Sequence, residues 1–132
     1  YFMRQGNSVT FNFAPVQNGV TIYPDLVKVT VALDNGEVIG AETTGYLISH
    51  RKRDLPKAGV SVEKAKAAIN QRLEISGGKL ALIPVGADDE RLAYEFQGRL
   101  GGETYLIYVN AVNGREENVL KLIDTPGGTL TM

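Results

Sequence analysis

Two segments of the chain repeat one pattern, and that repeat constrains the fold more than anything else in the sequence. Val9-x-Phe11-x-Phe13 is matched by Leu92-x-Tyr94-x-Phe96, and Asn18-Gly19 by Gly101-Gly102. Val29-x-Val31 followed by Asn35-Gly36 is matched by Ile107-x-Val109 followed by Asn113-Gly114. Apolar residues at period two share one face of a strand. Asn-Gly between two such runs signals a hairpin, because both residues tolerate positive φ. Each segment therefore reads as an antiparallel meander, and the chain as two copies of one unit. Phe13 to Gly36 spans 23 residues and Phe96 to Gly114 spans 18; an insertion around Tyr23-Pro24-Asp25 accounts for the difference.

Between the copies the pattern changes. Tyr46-Leu47-Ile48 leads into His50-Arg51-Lys52-Arg53-Asp54 and then Leu55-Pro56-Lys57-Ala58-Gly59, a charged connector closed by Pro and Gly. A helix follows, over Val62 to Leu73. Val62, Ala65, Ile69 and Leu73 form its apolar stripe, Ser61 its N-cap, and Gly77-Gly78 its stop. Val20 to Ile22 reads as a short strand. Leu80 to Val85 reads as a strand at a sheet edge, because Pro84 cannot donate to a ladder. Val119 to Ile123 closes the second sheet, and the tail from Thr125 to Met132 trails off.

Composition removes several classes. With 132 residues the chain is long enough for one domain, or for two small units sharing a core. It has no cysteine and one histidine, His50, which excludes a disulfide framework, a thiolate nucleophile and a histidine-based zinc site. No cofactor or metal is expected. No apolar run approaches the roughly 18 residues of a membrane span. Fourteen basic and 15 acidic residues leave a net charge of −1, which argues against a dedicated nucleic-acid binder. The chain begins at Tyr1 rather than Met, so a fragment or processed form is expected.

A helix followed by an antiparallel meander ending in Tyr-x-Ile-x-Val-x-Ala-x-Asn-Gly-x-Glu resembles the PepSY domain. The last hairpin carries the resemblance, as Asp34-Asn35-Gly36-Glu37 and as Asn113-Gly114-Arg115-Glu116. Further stretches are similar to the C-terminal region of the YpeB family of spore-germination proteins. These are Asn18 to Val29, Val31 to Glu37, Thr44-Gly45-Tyr46-Leu47, Ala81-Leu82-Ile83-Pro84, Tyr94-Glu95-Phe96 and Gly128 to Met132. The resemblance implies an α+β fold of two PepSY-like units, each a small antiparallel sheet, with one helix packed on the second. Residues 1–54 would be a partial unit whose helix lies upstream, and 55–132 a complete unit with a C-terminal tail. It also implies an N-terminal membrane anchor upstream, and an extracytoplasmic place between the inner spore membrane and the cortex. The implied role is regulatory and non-catalytic: stabilising or restraining a cortex-lytic enzyme of the SleB type until germination. A protease-inhibitory module and a structural envelope domain that self-associates through sheet edges are the alternatives. The family brings no catalytic residues to carry across.

None of Ser8, Ser49, Ser61 and Ser76 lies in a Gly-x-Ser-x-Gly elbow. Arg51 beside His50 opposes a protonated imidazole, so His50 reads as exposed or partner-facing rather than as a base. Paired carboxylates could serve glycoside hydrolysis. Asp88-Asp89-Glu90 reads as a solvated turn, Glu95 as pointing outward from the Tyr94/Phe96 face, and Glu116-Glu117 as solvated. The run His50-Arg51-Lys52-Arg53 reads as a solvated connector or as a docking patch for an acidic partner, peptidoglycan or an anionic membrane surface. Tyr94 and Tyr105 read as core. Tyr108 falls on the opposite face, and becomes an anchor for a partner if that face is open. The expected partner-binding residues are thus His50, Arg51, Lys52, Arg53 and Tyr108.

Overall fold

The computed structural model describes residues 2–86, 89–125 and 128–131. Strands β1 (Phe2–Gln5) and β2 (Ser8–Phe13) open the chain, followed by a short hairpin, β3 (Val16–Gln17) and β4 (Val20–Ile22). A 3-10 turn over Tyr23–Asp25 leads to β5 (Val27–Ala32), β6 (Val38–Glu42) and the helical turn α1 (Thr44–Ser49). Helix α2 (Val62–Ala67) precedes β7 (Glu74–Val85), β8 (Asp89–Leu100), β9 (Glu103–Asn110), β10 (Glu116–Thr125) and β11 (Gly128–Thr131). The α+β reading holds in its coarse form, but the sheet dominates: 55% of residues are in strands and 12% in helices.

The repeat is visible in the ladder. Strand order is β3-β4-β7-β8-β9-β10-β11-β1-β2-β5-β6, so β1-β2-β5-β6 and β7-β8-β9-β10 are two meanders with the same internal order. They are not separate sheets. The tail expected to trail off forms β11, which pairs with β10 and meets β1 at Met3 opposite Gly128. At the other end, the inserted hairpin leaves the first meander and lays β4 parallel to β7, with Thr21 opposite Ala81 and Ile22 opposite Leu82. The Asn-Gly turns close β5 to β6 and β9 to β10. Gly36 and Gly114 take φ of 73° and 78°, a region open to glycine.

The core lies between α2 and the inner face of β7-β8-β9. Leu92, Tyr94, Phe96, Ile107 and Val109 are buried there with Ala65, Ile69, Val20 and Ile22. Each fully buried aliphatic or aromatic side chain of this kind contributes about 1.5–3 kcal/mol of transfer free energy. Ser61 caps α2 as its chemistry demands, accepting from the Lys64 N–H at 3.1 Å. The helix ends at Ala67 rather than Leu73. Asn70 accepts from the Arg72 N–H at 3.0 Å, and such a local side-chain bond competes with helix continuation. Ile69 and Leu73 still reach the core from the turns that follow. Gly77 and Gly78 are not a helix stop. They sit in β7 at a bulge, and a Cβ on Gly78 would come within 2.7 Å of Val62 Cγ2, so α2 can lie flat on the strand. Pro84 behaves as an edge residue, because β4 reaches only to Leu82.

The first meander differs from the expected buried face. Val9 is buried, but Phe11 and Phe13 are 39% and 56% exposed and touch each other and Phe2 in a tilted row. Alternation put them on one face correctly; no described element covers that face as α2 covers its counterpart.

Candidate functional site

The Tyr23–Asp25 turn, the insertion that breaks the repeat, places two side chains against two buried clusters. Pro24 stands at the first turn, where its fixed φ suits the geometry, and the Leu26 N–H closes the turn on the Tyr23 carbonyl at 3.2 Å. Asp25 is 1% exposed. Arg53 meets it end-on, Nη1 donating to Oδ2 at 2.8 Å and Nη2 to Oδ1 at 2.9 Å. The same guanidinium donates to Glu90 on β8, through Nε at 3.2 Å and Nη2 at 2.9 Å. The planar fork suits this double carboxylate contact, which an ammonium could not make. His50 Nδ1 lies 2.9 Å from Asp25 Oδ2, and its ring stacks on Tyr46 at 4.1 Å. Burial pushes the Asp25 carboxyl up, but bonds from Arg53 and His50 outweigh it and hold the group below its ordinary value. Asp25, in turn, raises the Arg53 guanidinium further above its own.

Tyr23 points to the outer face of the second meander. Lys79, Glu95 and Tyr108 lie abreast there on β7, β8 and β9, each opposite the next. Glu95 Oε1 accepts from the Tyr108 hydroxyl at 2.6 Å and from the Tyr23 hydroxyl at 2.7 Å. Lys79 Nζ is 3.1 Å from Oε2. The two phenol rings meet edge to face, with centroids 6.4 Å apart. Burial and the adjacent Glu95 raise the Tyr23 phenol above its ordinary value. Burial works to lower the Lys79 ammonium, but Tyr23 and Glu95 leave it raised. Beside this cluster opens a cavity of about 230 Å³, lined also by Ile83, Pro84, Leu106, Asn118 and Leu120.

These placements revise several expectations. The basic run is not simply solvated: Arg53 is buried, His50 and Arg51 are exposed but bonded to Asp25 and Glu90, and Lys52 is exposed. Tyr108 is buried, not an open aromatic patch. Glu95 does face away from Tyr94 and Phe96, yet it is only 9% exposed, because Tyr23 and Tyr108 cover that side. Glu117 is half-buried and takes Arg91 Nη1 at 3.0 Å and Asn110 Nδ2 at 2.9 Å, bonds that hold its carboxyl low despite burial. Asp89 and Glu116 are exposed; Asp88 lies outside the described residues. The sequence reading missed Tyr23, Asp25, Glu95 and Lys79 as a site. A signal was present: the repeat mismatch falls on Tyr23-Pro24-Asp25, and an acid interrupts the apolar run Leu92 to Phe96.

Both oxygens of Asp25 and of Glu95 are engaged. Neither carboxylate is poised to take a proton from a substrate, since doing so would first break charge-assisted bonds.

Comparison with known proteins shows the family and the fold. The profile of YpeB sporulation PepSY1 and PepSY2 domains matches residues 1–56. The PepSY profile, described as peptidase propeptide and YPEB domain, matches residues 59–120. The sporulation protein YpeB of Halalkalibacterium halodurans is 43% identical over 112 residues, covering 85% of this chain and 25% of the relative. The Bacillus subtilis sporulation protein YpeB is 40% identical over the same length and coverage. The chain thus spans about a quarter of the length of these curated relatives. The solved Bacillus megaterium YpeB C-terminal domain superposes with a TM-score of 0.84 at 39% identity, over 93% of this chain and 55% of that one. With both halves matched and the fold shared, the chain belongs to the YpeB family of sporulation proteins and carries its PepSY domains.

Proposed function

We propose that this chain is a non-catalytic regulatory and binding module of spore germination, which stabilises or restrains a cortex-lytic cell-wall enzyme of the SleB type. In this reading it works outside the cytoplasm, between the inner spore membrane and the cortex. Membership of a sporulation family supports the setting. The observation that carries the non-catalytic part is the engagement of the buried acids Asp25 and Glu95 by Arg53, His50, Tyr23, Tyr108 and Lys79. His50, Arg51 and Lys52 form the exposed rim of the Asp25 cluster and are the proposed docking patch. Arg53 and Tyr108 act from within, by holding that rim and the cavity in place.

A second reading has one observation in its favour. The profile matching residues 59–120 is that of a peptidase propeptide domain, so the module could restrain a protease instead.

A titration of the purified chain against the cognate cortex-lytic enzyme, read by calorimetry and by peptidoglycan cleavage in the same mixtures, tests the proposal. Saturable binding with loss of cleavage is the expected result. No binding at concentrations up to about 100 μM, a level at which interfaces of standard size are normally saturated, would overturn it for this chain.

A further inference from the structure

The regulatory reading names no occupant for the cavity beside Glu95. One of its lining groups, the Glu95 carboxylate, is nine-tenths buried in the protein. A buried carboxylate requires hydrogen-bond donors and a counter-charge. Oε1 is satisfied by the two phenols, which are fixed in the sheet and in the Tyr23–Asp25 turn. Among the described residues Oε2 is paired with Lys79, whose side chain is 53% exposed. The Lys79 ammonium also lies 5.5 Å from the centroid of the Tyr23 ring. An ammonium held between a carboxylate and an aromatic face is therefore already realised at this site. The group that realises it sits on a flexible stem and can swing into solvent.

The walls add the rest of the specification. Pro84, Leu106 and Leu120 present apolar surface next to that carboxylate. Apolar walls leading to an acid suit a side chain with a methylene stem and a cationic tip. A guanidinium is matched less well, because a single exchangeable oxygen cannot take its two-pronged contact.

We propose that the cavity bounded by Tyr23, Tyr108 and Glu95 receives a lysine side chain from a partner protein, whose ammonium replaces that of Lys79 on Glu95 Oε2. The exchange moves one cation out as another enters, so the charge of the buried site does not change. Cation–π attraction to Tyr23 and the walls' contact with the methylenes favour the incoming side chain. The proposal does not depend on the partner being a lytic enzyme.

NMR titration of the whole chain with Nα-acetyl-lysine N-methylamide tests it, with the norleucine analogue as a probe of equal stem and no charge. Saturable shifts are expected at the amides of Tyr23, Glu95 and Tyr108, with a Kd on the order of millimolar, as one side chain can supply. The norleucine probe and the Glu95→Gln variant should each lose at least about tenfold in affinity, equivalent to about 1.4 kcal/mol. Lys79→Ala removes the tethered competitor from an exposed position and should tighten lysine binding by about threefold or more. Equal affinity for the two probes would make the cavity a plain apolar pocket and overturn the proposal. So would lysine binding that Lys79→Ala fails to tighten, a result that can be read even if Glu95→Gln does not fold. Absence of saturable shifts up to about 100 mM of probe, well above the expected Kd, would overturn it as well.

Discussion

Arg53 holds Asp25 through both arms of its guanidinium, at 2.8 and 2.9 Å, although 28 residues separate them. Asp25 follows the inserted hairpin and Arg53 lies within the connector, while Glu90, the other acid on Arg53, is the second residue of β8 in the second meander. One side chain therefore fastens three parts of the chain. Removing it leaves a buried carboxylate with His50 as its remaining partner among the described residues. Arg53→Met should cost about 3–5 kcal/mol, the usual penalty for stranding one member of a buried pair. Asp25→Asn should cost clearly less, because Glu90 still faces Arg53. Urea unfolding at unchanged m-value measures both.

The same pair sets a pH dependence. Asp25 is held below its ordinary value of 3.8, and Glu117 below 4.5. A carboxyl lowered in the folded state binds fewer protons there than in the unfolded chain. Its contribution is complete above the unfolded value and is lost as pH falls through the folded one. The groups facing Asp25 are Arg53 and His50, and those facing Glu117 are Arg91, Asn110 and Asp89. Stability should be flat just above about pH 5 and fall progressively below about pH 4. Asp25→Asn should flatten that fall, as followed by thermal unfolding across an acid series.

Tyr108 and Tyr23 share Glu95 as acceptor. A hydrogen bond to a charged group contributes about 1.5–3 kcal/mol. Tyr108→Phe should lose a value in that range, and Tyr23→Phe no more, since Tyr23 is only half-buried. In a double-mutant cycle the two losses should not add, because both act on one oxygen.

Gly59 approaches the second hairpin so closely that a Cβ would lie 2.4 Å from the Val112 carbonyl oxygen. Its N–H donates to Ala111 O at 2.8 Å, so the loop cannot retreat without losing that bond. Gly59→Ala should destabilise by about 1–3 kcal/mol, as overpacking does. Ala58→Ser, at the exposed neighbouring position, should be close to neutral; comparison of melting temperatures decides.

Phe2, Phe11 and Phe13 form a row on the face of the first meander that corresponds to the one α2 covers on the second. Sedimentation velocity should show self-association that grows with concentration. Phe13→Asp should abolish it while changing monomer stability by less than about 1 kcal/mol, as expected of an exposed position.

Much of this was legible in the sequence because it depends on neighbours. The Asn-Gly turns, the period-two strands, the Ser61 cap and the Val62/Ala65/Ile69/Leu73 stripe are all set by residues a few positions apart. The apolar stripe runs past the helix end at Ala67 through turns that Asn70 starts, so periodicity alone overstates the helix. What remained hidden depends on contacts across the chain. Alternation assigns Glu95 to the face opposite Phe96, but whether that face is wet depends on Tyr23, 72 residues away. Arg53 looks like its neighbours Arg51 and Lys52 in a basic run; only the position of Asp25 separates a buried clamp from an exposed charge. The open face of Phe11 and Phe13 is the converse case, where pattern alone cannot say what packs above.

Native-state amide hydrogen exchange tests most directly whether the Tyr23–Asp25 turn makes the two meanders one cooperative body. The slowest amides of β2 and β5 should open with the same free energy as those of β8 and β9 in the unaltered chain. With Tyr23→Phe and Asp25→Asn combined, β2 and β5 should open at distinctly lower free energy while β8 and β9 keep their protection. Meanders that already open separately in the unaltered chain, or that still open together in the double variant, would contradict it.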